Sequence, residues 1–106
     1  MSQIQQYLTA AITFSASGDN NCVAAVSGRP IKVWKLWFTA AGAVNVTFKD
    51  GASTSLSGAA ILTGAGSSFF CIYDGSPWWV TSPGNAFVVN LSGAVALSGQ
   101  VYYTLG

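Results

Sequence analysis

The chain has 106 residues, 51 % hydrophobic and only 7 % charged: three Asp, three Lys, one Arg, no Glu and no His. Ordinary soluble domains carry a charged share of about 25 %. A net charge of +1 gives no electrostatic reason to expect nucleic acid or an anionic membrane as partner, and the lack of His excludes a Ser-His-Asp triad, a Cys-His pair and any imidazole metal site.

In chain order, residues 1–10 (MSQIQQYLTA) are polar apart from Ile4, Tyr7 and Leu8. They lack the basic and apolar regions of a signal peptide, so synthesis in the cytoplasm is expected. The segment reads as an N-terminal arm or short turn, with Tyr7 a candidate contact to a neighbouring subunit, ahead of one β-sandwich domain over 11–106. Ile12 and Phe14 then pair in a strand predicted over 11–16. Ser17–Asn21 reads as a loop, and 21–27 as the next strand.

Ile31–Phe38, IKVWKLWF, holds two of the four Trp and two of the four cations. Strict alternation puts one Lys among apolar groups on each face. A one-residue bulge near Trp34–Lys35 resolves the conflict: Ile31, Val33, Leu36 and Phe38 then face the core, and Lys32, Lys35 and Trp37 face out. The run is expected to be a central strand whose outer face is covered by another subunit, with the lysine stems lying along that apolar surface.

Val44–Lys49 alternates cleanly, with Val44, Val46 and Phe48 on one face and Asn45, Thr47 and Lys49 on the other. Asp50-Gly51, Asp74-Gly75 and Ser82-Pro-Gly-Asn85 are turn signals. Between and after them come strands predicted over 53–57, 67–73, 77–81, 86–92 and 94–104, with Gly99 as a bend or bulge. Eight or nine strands punctuated in this way predict an all-β, single-domain antiparallel β-sandwich, jelly-roll-like, of about eight strands.

Residues able to carry chemistry are few. Asp19, Asp50 and Asp74 sit beside Gly or Asn and read as turn formers rather than a carboxylate pair. Cys71 lies in the apolar run SSFFCIY, with no positive neighbour to activate a thiolate, and it and Cys22 read as small buried thiols. No phosphate-binding glycine motif, metal-ligand spacing or cofactor motif is present, so no cofactor is expected. Asn45-Val-Thr47 and Asn90-Leu-Ser92 match the glycosylation pattern but read as outward polar strand positions. Trp34 and Trp37 among Arg29, Lys32 and Lys35 have the residue types of a base-stacking surface, yet too few cations accompany them to neutralise a phosphate backbone. Trp78 and Trp79, after Pro77, have the residue types of a sugar-stacking platform or an interface anchor.

Taken together, GDNNCVAAVSGRPIKVWKLWF, GAVNVTFKDG and PWWVTSPGNAFVVNLSGAVALSG resemble small virion proteins of tailed bacteriophages. The resemblance covers about residues 12–104, on Val23–Val26, Ile31–Phe38, Val44–Gly51, Pro77–Trp79 and Gly84–Gly99. It implies a structural virion component rather than an enzyme, by fold-level analogy a capsid decoration (cement) protein. The implied partner is the major capsid protein, the implied state a homotrimer, and the implied location the capsid surface of the virion, after synthesis in the host cytoplasm. No functional residues carry over from the resemblance. Interface candidates come from the residues themselves: Trp34, Trp37, Lys32, Lys35, Trp78, Trp79 and Tyr7. The alternative is a tail, baseplate or fibre component, or a carbohydrate-binding adhesin using Trp78-Trp79 and Tyr102-Tyr103.

Overall fold

The computed structural model describes residues 6–106, which contain ten β-strands and no helix. The strands are β1 (Leu8–Ile12), β2 (Gly18–Val23), β3 (Ile31–Ala40), β4 (Val44–Asp50), β5 (Thr54–Ser55), β6 (Ala60–Leu62), β7 (Ser68–Cys71), β8 (Trp79–Val80), β9 (Phe87–Leu91) and β10 (Leu97–Leu105). β-Branched and aromatic residues at alternate positions drive the longer ones, because such side chains fit a pleated surface with one buried face.

Two five-stranded antiparallel sheets form. In the first, β3 pairs along its whole length with β10, and β10 pairs with β1. β7 and β8 share the other side of β3, β7 against Leu36–Thr39 and β8 against Lys32–Val33. In the second, β9 lies between β2 and β4, and β5 and β6 share the far side of β4. The pairs β1·β10, β2·β9, β3·β7/β8 and β4·β5/β6 are nested, as in one long hairpin. Folding that hairpin over itself adds the pairs β10·β3 and β9·β4. This is the jelly-roll arrangement, with ten strands in eight positions because β5/β6 and β7/β8 are each an interrupted strand.

The core lies between the sheets. Ile31, Val33, Leu36 and Phe38 of β3 meet Val44, Val46 and Phe48 of β4, Phe87, Val89 and Leu91 of β9, and Leu97 and Val101 of β10, all buried. Each such side chain contributes about 1.5–3 kcal/mol relative to remaining exposed. An aromatic stack fills the centre: Phe48 lies 5.9 Å from Phe87 with nearly parallel rings, and 4.4 Å from Trp79. Cys22 and Cys71 are both buried, free and part of this core.

The bulge expected in IKVWKLWF is present. Tyr102 pairs with Lys35 and Tyr103 with Val33, which leaves Trp34 as the extra residue. Ile31, Val33, Leu36 and Phe38 are buried, whereas Lys32 and Lys35 are half-buried and Trp37 is exposed on the other side.

Several boundaries are corrected. The first two strands begin three residues earlier than predicted, so Leu8, Thr9 and Ala10 belong to the sheet rather than to an arm. The arm's residues 1–5 lie outside the described residues. Gly18–Asn21, expected as a loop, is the start of β2, because Lys49 and Asn90 satisfy the carboxylate of Asp19 on the sheet surface. Correspondingly, 24–27 is not strand. β6 was not anticipated: it is three residues long, too short to show a period. Gly99 is neither bend nor bulge but pairs in register with Phe38 and Ile12.

Candidate protein-interaction face

The two outer faces of the sandwich differ in chemistry. Outward positions on the second sheet are mostly polar: Asp19 and Asn21 of β2, Asn90 of β9, and Asn45, Thr47 and Lys49 of β4, with Val88 of β9 covered among them and Ile61 of β6, opposite Asn45, 71 % exposed. Three of these polar groups bind one another: Lys49 Nζ is 3.1 Å from Asp19 Oδ1, and Asn90 Nδ2 donates to the same oxygen at 2.7 Å. Both glycosylation-pattern asparagines, Asn45 and Asn90, are therefore outward strand positions.

On the first sheet the outward positions include Lys32, Lys35 and Trp37 of β3, Phe70 of β7, Val80 of β8 and Tyr102 of β10, with Thr39, Ser68, Ser98, Gln100 and Thr104 as polar neighbours. Trp37 is 47 % exposed, Phe70 68 %, and Ile72, just past β7, 65 %. Leu36 turns inward between Lys35 and Trp37 and so leaves a gap on the outer surface. The gap is a shallow cleft of ≈ 320 Å³, walled by Phe70 and Ile72 on one side and Tyr102 on the other, with Trp37 and Lys35 at its ends. Among the described residues Lys35 is the only charged one lining it, and its Nζ sits 4.3 Å from the centroid of the Tyr102 ring. That cation–π contact holds the ammonium at the rim. β7 is also an edge strand of four residues, apolar after Ser68 and without charge. Proteins ordinarily protect such an edge with Lys or Pro.

The candidate residues separate into three groups. Trp37, Lys32 and Lys35 lie together on the face. Trp34, the bulged residue, is half-buried beside it. Its indole Nε1 donates to Thr104 Oγ1 at 2.8 Å, and its ring packs 6.1 Å from Tyr7 and 5.7 Å from Tyr73. Tyr7 thus packs within its own chain rather than reaching out on an arm. Trp78 and Trp79 divide. Trp78 is exposed and tied by Nε1 to the Ile72 carbonyl at 2.7 Å. Trp79, expected at an interface, turns inward onto Phe48 and Phe87, because it pairs with Val33 on the core side of β8.

The two rings of the Trp pair are inclined at 47° and form no common platform, and Tyr102 and Tyr103 point to opposite faces. Sequence reasoning did not single out Phe70 and Ile72. Their signal was present in Ser68-Phe-Phe-Cys-Ile-Tyr73, where alternation leaves apolar groups on both faces.

Among the described residues, no catalytic constellation assembles around the acids or thiols. Asp19 is engaged by Asn90 and Lys49. Asp50, on the core side of β4, accepts from Ser82 N (3.0 Å), Ser82 Oγ (2.8 Å) and Asn85 Nδ2 (3.0 Å). Asp74 accepts from Ser76 N at 3.4 Å. Asp50 and Asp74 thus hold turns, as expected, while Asp19 braces strands. Burial pushes the Cys22 thiol up to about 12 and raises that of Cys71 as well, which disfavours the nucleophilic thiolate. No group of three or more His, Cys, Asp or Glu able to hold a metal occurs among the described residues. No family model, curated protein or solved structure matches the chain, so the face stands on its own geometry.

Proposed function

We propose that the chain is a non-enzymatic structural protein that binds another protein through the outer face of its first sheet. The observation that carries this reading is the asymmetry of the sandwich. One outer face is mostly polar, held by the Asp19–Lys49–Asn90 network and exposing Ile61 alone at its edge, and the other exposes Trp37, Phe70 and Ile72 together around a cleft. Exposed apolar patches rimmed by polar groups mark interaction sites. The resemblance in residues 12–104 extends the proposal to a decoration protein of a tailed-phage head. In that setting the chain is a homotrimer on the capsid surface that stabilises the head by seating between major capsid protein subunits.

The test is to add the purified chain to shells stripped of small surface proteins and to follow binding by sedimentation and electron microscopy. Added density at defined positions on the shell supports the proposal. A monomer that leaves shells undecorated contradicts the decoration role. The carbohydrate reading loses its motivating platform, since Trp79 is turned into the core. It predicts a shift of tryptophan fluorescence on titration with host polysaccharides, whereas the proposed function predicts none.

A further inference from the structure

Resting on the assembly reading, we infer the chemistry of what this face binds: a segment of a different protein that presents a bulky apolar side chain beside an Asp or Glu. Three observations converge. First, the face is large. Trp37, Phe70, Ile72, Tyr73, Trp78 and Val80 run along the β7–β8 edge and are each between 43 % and 68 % exposed. At about 150–250 Å² per aromatic side chain they offer roughly 600 Å², approaching the ~800 Å² that each partner gives to a standard protein interface. The cleft, at ≈ 320 Å³, opens directly onto this flatter surface. It therefore suits one anchoring side chain of a larger partner, the arrangement found at interface hot spots.

Second, the charge on the face is mainly positive. Lys32 and Lys35 lie on the sheet itself, and the one carboxylate near them is Asp74, in the loop at the rim. Asp19 and Asp50 belong to the second sheet. Asp74 accepts from Ser76 N at 3.4 Å and stays exposed. Lys49 is paired with Asp19 on the far side, and Arg29 donates to the carbonyls of Leu105 and Gly106. Complementary charge across an interface favours the correct partner and disfavours like-charged ones.

Third, the chain offers little of this chemistry to a second copy of itself. Asp50 is buried and Asp19 is engaged by Lys49 and Asn90, which leaves Asp74 as the one carboxylate free to meet Lys35 of another copy across a twofold axis, where residue i meets residue j and j meets i.

The test pans a yeast-displayed library of random dodecamers against the full-length chain, with sedimentation velocity of the same chain alongside. The selected peptides are expected to carry Asp or Glu within two positions of a bulky apolar residue. Trp37→Ala and Lys35→Ser should each weaken them at least tenfold, Lys35→Arg should retain them, and Asn45→Ser on the opposite face should change nothing. Added salt should weaken binding, since the ion pair lies at an exposed rim. Selection of uncharged or basic peptides, binding indifferent to Lys35, or no enrichment over cells displaying no peptide overturns the inference. So does a dimer of the chain that Trp37→Ala abolishes, which makes the second copy the occupant. In that last case, or when selected peptides use this face without an acid, assembly through the face still stands. Failure of the chain to decorate shells bears instead on the head role.

Discussion

At the scale of single residues, Trp37 and Asp50 show opposite uses of a side chain. Trp37 lies outside the core, about half exposed on a face that the other described residues leave uncovered. Its removal costs the fold less than that of a core tryptophan, because only about half of its surface is buried. Trp37→Ala is therefore expected to lower unfolding stability by about 1–2 kcal/mol, short of the ~3–5 kcal/mol of a core tryptophan, while weakening binding at the face by about 2 kcal/mol or more, the range of interface hot spots. Urea denaturation and shell binding of the same variant separate the two effects, and a large loss of stability would make Trp37 a core residue. Asp50 is the reverse case: buried, and the acceptor for three donors of the Ser82–Asn85 turn. Asp50→Ala leaves those donors unmatched and should destabilise by about 1–3 kcal/mol, read as a lower urea midpoint. Sequence logic anticipated Trp37 because the bulge alone reconciles two lysines with four core residues. It could not anticipate the burial of Asp50, because the Ser82 and Asn85 that satisfy it are more than thirty positions away.

At the scale of elements, legibility followed the strength of alternation. β3 and β4 were readable almost to the residue, since their large apolar groups leave one register that buries them. β2 was not, because its polar start, GDNN, becomes strand only when Lys49 and Asn90 arrive from β4 and β9. β10 carries a further constraint that its sequence states only as a glycine. A Cβ at Gly99 would meet the Trp37 carbonyl oxygen and lie 2.6 Å from Phe38 Cα, so β10 and β3 approach too closely for any side chain there. Gly99 has an ordinary φ, and its requirement is space rather than conformation. Gly99→Ala is expected to push the two central strands apart and destabilise by about 1–3 kcal/mol or more, as overpacking does. The same replacement at Gly58, where a Cβ meets nothing within 4 Å, serves as the control. Equal unfolding midpoints for the two variants would contradict the close approach.

At the scale of the whole molecule, the nesting of β1 with β10 and β2 with β9 is a property of long-range pairing that no local window contains. The strand number suggested a jelly roll, but the pairing defines it. The scarcity of charge has a consequence at the same scale: very few groups set the response to pH. There is no His, and burial raises both thiols, so no side chain changes charge between pH 5 and pH 8. The carboxylates of Asp19 and Asp50 do change below that range. For Asp19, the hydrogen bond from Asn90 lowers the pKa, opposed by burial and assisted by Lys49. For Asp50, burial raises the pKa, but the donors of Asn85 and Ser82 outweigh it, so it too lies below the ordinary 3.8. As pH falls, the unfolded chain therefore takes up protons before the folded one. The stability these groups supply is complete above about 4 and is lost as pH drops through the lower folded values. The urea midpoint should thus be level from pH 8 to pH 5 and fall below pH 4, and the fall should be smaller in Asp19→Asn, which removes one of the two groups. A midpoint that moves between pH 5 and pH 8, or that is unchanged at pH 2, would show that some other group, or none, couples this fold to protons.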